Sequence, residues 1–320
     1  MQHYDIHLDS DYKHRLSAAI SERYAVSVGE LEPAKRGYYG ETWKVRGESG
    51  VYFLKVDYLH FHQQRFRGSL AAIDYLCSSG IDFVGEIVKT RDCRLFAEFD
   101  GAIMGMFVWV DGENVETGDT KPLEYQLLCR IYNKTRPGLA IPTAEFSDAA
   151  AVRFYELLEK LKKAPRTDAN DRALSCFSRY SDMLNLYASR LDKAARRCSE
   201  DNGQFYLTHG DAGGNFFCAG GKNYIFDWDE VMYSPIDRDA WVMCCYDWAR
   251  SLLNKTLREN NISYQLRPER LAFFCYHMLF FYLCEFLNVH AICDKSDGII
   301  DFFANGWINE RLQFADTCKY

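Results

Sequence analysis

The sequence predicts an α+β fold of two lobes, a small β-rich N-terminal lobe and a larger, mainly helical C-terminal lobe. Three observations carry this. Between about residues 30 and 110 the apolar runs are short and strand-like, separated by glycine-containing turns such as "RGESG". Beyond about residue 112 the apolar residues recur at three- and four-residue steps, the helical period. At 320 residues the chain is long enough to bury two such lobes. They are expected to span 1–110 and 111–320, with "VWVDGENV" as the connection.

In chain order, "ETWKV", "VYFLKV", "RLFAEF" and "AIMGMFVWV" are expected as strands. One helical stripe interrupts them, Phe66, Leu70, Ile73 and Cys77, with Gly80 as its stop. Ser147 and Asp148 are N-cap candidates for a helix that buries Ala151, Phe154, Tyr155, Leu158 and Leu161 and ends before Pro165. Tyr180, Met183, Leu184, Tyr187 and Leu191 form a second stripe. The one strand signal in this half follows residue 215.

Composition narrows the function classes. A net charge of −7 argues against a nucleic-acid partner, since phosphate backbones are held by Lys and Arg. The twelve cysteines contain no C-x-x-C pair, and Cys77, Cys129, Cys244, Cys275 and Cys284 lie in apolar runs. That usage predicts reduced, buried thiols in a cytoplasmic protein. "MQHYDIHLDSDYKHR" has no apolar segment, so no signal peptide is expected there. Residues 271–292 are long enough for a membrane span, but His277, Glu285, Asn288 and His290 interrupt them. A buried helix of the helical lobe is the expectation, with no membrane partner.

The chemistry concentrates in "LTHGDAGGN" and the "FFCAGGKNYIFDWDEV" that follows. Two apolar runs on either side of Gly220 and Gly221 predict a β-hairpin. Asn215 lies just before its first strand and Asp227 just after its second, so antiparallel pairing brings them together. An amide oxygen and a carboxylate at that point suit Mg²⁺, which takes the rest of its shell from water and substrate phosphates. Asp211, four residues upstream of Asn215, is then placed to orient and deprotonate an attacking hydroxyl.

"HGDAGGN" followed by "YIFDWD" closely resembles the motifs of the aminoglycoside phosphotransferase family, relatives of choline kinases with a protein-kinase-like fold. The resemblance implies Asp211 as catalytic aspartate, Asn215 and Asp227 as metal ligands, and His209 as the residue that orients the loop. In "SPIDRDAW" it implies Asp239 as a structural or substrate-side acid. In the N-terminal lobe it implies Lys55, in "VYFLKV", as the lysine on the nucleotide phosphates, and Gly37 to Thr42, with Gly37 and Gly40, as the phosphate-covering loop. Backbone groups of Val108 and Val110 would hold adenine or guanine. The resemblance spans roughly residues 30–250.

Two features depart from the family pattern. Only Ala212, Gly213 and Gly214 separate Asp211 from Asn215, one residue fewer than usual, and the glycines are expected to close the loop through conformations barred to other residues. Kinases pair the strand lysine with a helix glutamate, yet 61–77 holds none, and the matching position falls near Ser69. Either Lys55 is oriented by another group, such as Asp74, or the ion pair is missing.

Asp229, Glu230, Asp237, Asp239 and Asp247 are acids that could receive the ammonium groups of an aminocyclitol, with Asp229, Glu230 and Asp239 as the substrate-side candidates. Trp228, Trp241, Tyr246 and Trp248 serve either as core or as flanks for a ring. The expected activity is Mg²⁺-dependent transfer of the γ-phosphate of ATP or GTP to a hydroxyl of a small, cationic, aminoglycoside-like antibiotic. The alternatives are a small-metabolite kinase of the choline, homoserine, methylthioribose or thiamine type, and a nucleotide-binding pseudokinase. Monomer and homodimer stay open.

Overall fold

In the computed structural model, which describes residues 9–34, 39–115, 118–200 and 203–318, the N-terminal strands form where the alternation predicts them. The elements in order are α1 (Ser10–Tyr24), β1 (Val28–Pro33), β2 (Glu41–Gly47), β3 (Gly50–Asp57), α2 (His60–Ser78), β4 (Ile87–Val88), β5 (Ala97–Phe99) and β6 (Ala102–Val108). The sheet runs β1-β2-β3-β6-β4, with β5 also on β6, and every pairing is antiparallel. Only the last three residues of "RLFAEF" become strand.

Each face of this sheet is covered by one helix, for a reason visible in the strands. Trp43, Val45, Leu54, Val56, Met104 and Met106 alternate onto one face. There they form one core with Tyr12, Leu16, Ile20 and Tyr24, a four-residue stripe on α1. The side chain of Asp9 caps α1 by accepting from the Tyr12 amide at 2.7 Å. On the other face Phe66 and Leu70 of α2 pack with Ile103. Gly105 admits that helix, because a Cβ there would lie 2.7 Å from the Phe66 ring.

The chain clusters into two units, Gln2–Thr143 with Tyr206–Tyr233, and Ala144–Phe205 with Ser234–Tyr320. The first unit adds β7 (Glu113–Asn114), α3 (Lys121–Tyr132), β8 (Tyr206–Thr208), β9 (Phe216–Ala219), β10 (Lys222–Ile225) and all but the last residue of β11 (Met232–Ser234). The hairpin β9–β10 forms as its sequence predicts, with Ala219 opposite Lys222 and Gly220 and Gly221 at φ 55° and 80° in its turn. Positive φ at both central residues is the turn geometry that matches strand twist. The connecting segment joins this hairpin as a third strand, β7 pairing β9. Gly112 permits it, because a Cβ there would meet the Cys218 carbonyl oxygen at 2.2 Å. From the two ends of β10, the Ile225 amide donates to the Phe83 carbonyl at 2.9 Å, and Lys222 pairs Asp82 at 3.0 Å. These bonds explain why the hairpin belongs with the N-terminal sheet.

The second unit is helical: α4 (Ala149–Lys163), α5 (Asp168–Arg179), α6 (Ser181–Ser199), α7 (Asp237–Ala240), α8 (Asp247–Glu259), α9 (Pro268–Cys293), α10 (Asp297–Ala304) and α11 (Trp307–Thr317). The stripe expected from Tyr180 starts one residue later, since Tyr180 lies between α5 and α6. Around α9 pack α4, α6, α7, α10 and α11. Residues 268–292 of α9 are long and apolar enough to cross a membrane, but most of this stretch is buried within the fold. One of its polar interruptions finds a partner inside the helical unit: His290 Nε2 lies 2.7 Å from Asn170 Oδ1.

Candidate functional site

All the expected metal, catalytic and lysine residues fall in the first unit. Lys55 is the sixth residue of β3, directly opposite Thr42 on β2 and Gly105 on β6. Alternation turns it to the α2 face, where it is buried and its Nζ lies 5.1 Å from the centre of the Phe66 ring. A lone ammonium there would be costly. It is not alone: Nζ donates to Asp229 Oδ2, and Asp227 Oδ1 is 3.9 Å away. Burial pulls the Lys55 ammonium toward deprotonation, but the two carboxylates outweigh it and hold it above the ordinary lysine range. Burial likewise raises Asp229, and Lys55 and His62 outweigh it, leaving that carboxyl below its usual range.

This pairing corrects two expectations. Asp74 does not orient Lys55; it bonds Lys89 Nζ at 2.8 Å at the surface. Asp229 is no surface acid awaiting a substrate ammonium, because it is buried and committed to the lysine. Glu230 is also engaged, accepting from Arg65 at 2.6 Å.

Sequence reasoning missed a second buried group behind Asp229. His62, in the first turn of α2, and Asp57, the last residue of β3, are both fully buried. His62 Nδ1 lies 2.7 Å from Asp57 Oδ2, while His62 Nε2 faces Asp229 Oδ2 at 3.4 Å. The available signal was a polar residue at the start of a helix whose other buried positions are largely apolar.

The loop carrying Asp211 is built around a buried imidazole. His209 Nδ1 accepts from the Asp211 amide at 3.1 Å, and Nε2 lies 2.8 Å from the Phe226 carbonyl oxygen. A carbonyl only accepts, so these partners fix a neutral ring protonated at Nε2. His209 thereby ties the loop to the far end of the hairpin, with Trp228 against its edge at 4.5 Å. Trp228 is itself core, buried and donating Nε1–H to the Ile225 carbonyl at 2.9 Å.

The missing loop residue is absorbed differently from the expectation. Ala212–Gly214 form a single tight 3₁₀ turn, and neither Gly213 nor Gly214 has positive φ. Gly210 does, at 90°. A 3₁₀ turn needs three residues where an α-turn needs more, so the shortened path closes within ordinary backbone space. Asn215 then folds back, its Nδ2 donating to the Asp211 carbonyl at 2.7 Å and lying 3.4 Å from Asp211 Oδ2. Asn114 of β7 steadies the turn by donating to the Gly214 carbonyl at 3.1 Å; sequence gave no sign of this residue.

Asn215 and Asp227 flank the open end of the hairpin, where the Phe226 amide donates to the Asn215 carbonyl at 3.1 Å. With Nδ2 of Asn215 committed to Asp211, its side-chain oxygen is the remaining ligand atom. Asp227 takes φ 58°, a left-handed conformation that costs a non-glycine residue about 1 kcal/mol or more. Half of its side chain is exposed. Burial of the surroundings, and then the Asp229 carboxylate, hold its carboxyl above the usual range. Two neighbouring carboxylates with one lysine, beside an amide oxygen, are an oxygen donor set of the kind a hard divalent cation relieves. No cluster of three His, Cys, Asp or Glu side chains suited to a metal occurs among the described residues. A cation here would depend on Asn215, Asp227 and outside ligands.

The remaining expected positions divide. Gly37 lies outside the described residues. Gly40 is set by packing, since a Cβ there would approach the Val56 carbonyl oxygen to 2.4 Å. Thr42 is buried beside Lys55 on its face of the sheet. The Val108 amide is already used, donating to the Glu86 carbonyl at 2.9 Å, so it cannot serve a nucleobase while β6 stays intact. The Val110 amide has no partner among the described residues.

In the second unit, Asp239 is half-buried on the four-residue helix α7. Its neighbour Asp237 has the structural role: fully buried, it accepts from the Tyr264 hydroxyl and, at 2.8 Å, from the Arg267 amide. Trp241 is core, and Trp248 is about half exposed.

A family model described as the phosphotransferase enzyme family matches residues 30–274. Among solved structures, a spectinomycin phosphotransferase in complex with ADP and spectinomycin is similar at TM-score 0.73 and 16% identity, covering 95% of this chain and 97% of that one. A microcompartment-associated aminopropanol kinase matches at TM-score 0.59 and 14% identity, covering 94% and 95%. A choline kinase from Cryptosporidium parvum Iowa II matches at 0.54 and 13%, covering 90% and 89%. No curated protein sequence matches the chain. At these identities the structural likeness speaks for a kinase-like fold.

Proposed function

The chain belongs to the phosphotransferase enzyme family, and from that premise we propose that it moves the γ-phosphate of ATP or GTP to a hydroxyl of an aminoglycoside- or aminocyclitol-like antibiotic, conferring resistance. The observation that carries the chemistry is the hairpin end, where His209 clamps the Asp211 loop to Phe226 and Asn215 meets both Asp211 and the residue before Asp227. One scaffold thus carries a candidate base and both candidate ligands for a cation.

In this reading Asp211 orients the acceptor hydroxyl and takes its proton, and Asn215 steadies Asp211 through its amide. Asn215 and Asp227 would hold Mg²⁺, whose contribution is to neutralise charge on the transferring phosphate. Lys55, beside Asp227 and Asp229, supplies the positive charge for the nucleotide phosphates. His209 stays neutral and structural. Val110 is the better-placed of the two backbone groups expected to hold the base, because the Val108 amide is occupied.

An acceptor bearing ammonium groups suits a chain of net charge −7, and the neighbour that binds spectinomycin and ADP supports the antibiotic reading. The aminopropanol and choline kinase neighbours favour a second reading, a kinase for a small amino alcohol. In either case the site is expected to work in the cytoplasm, where the nucleotide is supplied.

Phosphate transfer from ATP and GTP with Mg²⁺ is to be measured against aminoglycosides, spectinomycin and small amino alcohols, with Asp211→Ala alongside. Loss of a general base is expected to lower kcat by about 10²–10⁴. Transfer unchanged in Asp211→Ala would sink the assignment. Nucleotide binding without transfer to any acceptor would favour a pseudokinase, and protection of cells from an antibiotic would separate the first reading from the second.

A further inference from the structure

The helix facing Lys55 brings no glutamate to it, and the structure shows what occupies that place. His62 is fully buried on the first turn of α2, its ring stacked on Tyr39 at 4.0 Å between centres. Two carboxylates face it. Asp57 is rigidly held, its Oδ1 accepting from the Leu59 amide at 2.9 Å and its backbone carbonyl from Gln63 at 3.0 Å. Its Oδ2 lies 2.7 Å from His62 Nδ1, and a carboxylate only accepts, so Nδ1 donates. His62 Nε2 is buried with no hydrogen-bond partner, and Asp229 Oδ2, the atom that also receives Lys55, lies 3.4 Å from it. A buried polar atom left unpaired in this way calls for an explanation.

We infer that His62 is a positioning residue that takes over Asp229 when Lys55 turns to the nucleotide phosphates, doing through the aspartate what a helix glutamate does through the lysine. This rests on the proposed role of Lys55. The physical need is plain. Asp229 is buried, and Lys55 cannot leave it for a phosphate without stranding its charge. With Nδ1–H already on Asp57, the form that serves Asp229 is the imidazolium, which carries a second proton on Nε2 and a charge that stands in for the departed ammonium; the approach of that Nε2–H by a few tenths of an ångström turns the 3.4 Å contact into a hydrogen bond and satisfies both groups. Asp57 holds the ring with Nε2 on the Asp229 side.

The test compares His62→Asn, whose amide can reach only Asp57, with His62→Gln, whose longer amide can reach Asp229, and with wild type. Affinities for ATP and for adenosine are measured by calorimetry well below each variant's melting temperature. The inference expects His62→Asn to weaken ATP by about tenfold with adenosine unchanged, and His62→Gln to stay close to wild type. Equal ATP affinity in wild type and His62→Asn overturns it. So does a loss of ATP and adenosine binding in equal measure in both variants, the mark of a merely structural role. If wild type itself binds ATP no better than adenosine, Lys55 holds no phosphate, and the nucleotide-donor reading fails together with the inference. If the ATP preference is present and responds as expected but no acceptor is phosphorylated, the proposed function alone fails.

Discussion

Replacing Asp229 by leucine leaves the Lys55 ammonium in a site where only 7% of the residue meets solvent. The next carboxylate oxygen, on Asp227, lies 3.9 Å away on a side chain half exposed to water. Removing one partner of a buried pair costs about 3–5 kcal/mol, and the surviving Asp227 places this case near 3 kcal/mol. At about 2–4 °C per kcal/mol for a unit of this size, the melting temperature should fall by about 6–12 °C. Lys55→Met removes the other charge. The double variant replaces the pair by apolar groups of similar volume, which is often close to neutral. Urea titration of the four proteins should therefore give a coupling energy of about 2–3 kcal/mol, the double variant being more stable than the sum of the singles allows. Additivity within about 0.5 kcal/mol would refute the reasoning, because it would mean that Asp229 does not compensate the lysine in solution.

Two further outcomes follow from named geometry. Asp237 is fully buried, and burial pushes its carboxyl up to about 6. The folded chain then keeps a proton that the unfolded chain releases near pH 4. The associated stability is complete below about pH 4 and lost as the pH rises through about 6, some 3 kcal/mol in all. Unfolding free energies across pH 4 to 7 should show this slope in wild type and lose it in Asp237→Asn; parallel curves would discount the burial. In the loop that carries Asp211, Gly210 at φ 90° and Gly214 in the 3₁₀ turn should respond differently to alanine. Gly210→Ala is expected to cost more than about 1 kcal/mol and Gly214→Ala less, and equal losses would contradict the loop geometry.

Much of the fold was legible because its determinants are local. The strands "ETWKV" and "VYFLKV", the stripe Phe66, Leu70, Ile73, and the hairpin turn at Gly220 and Gly221 each declare themselves within a few residues. Helix α1 is not legible in the same way: its stripe of Tyr12, Leu16, Ile20 and Tyr24 is a single file of apolar residues among mostly polar neighbours, too narrow to mark a period before the sheet lies beside it. The two-residue strand β7 could not be read, since nothing in Glu113–Asn114 favours a strand until β9 lies beside it.

The site divides along the same line. The sequence by itself determined the ordered set Lys55, His209, Asp211, Asn215 and Asp227, and the hairpin that joins the last two, because turn chemistry and strand alternation act over short spans of chain. The tertiary structure decided which groups neutralise one another. Asp229 reaches Lys55 across 174 residues of sequence, and His62 and Asp57 close in behind it. It also decided that a 3₁₀ turn, with Asn114 on its carbonyl, shortens the loop. The physical reason is that a charge buried on folding must find its counter-charge wherever the packed chain brings one, and chain spacing holds no record of that meeting.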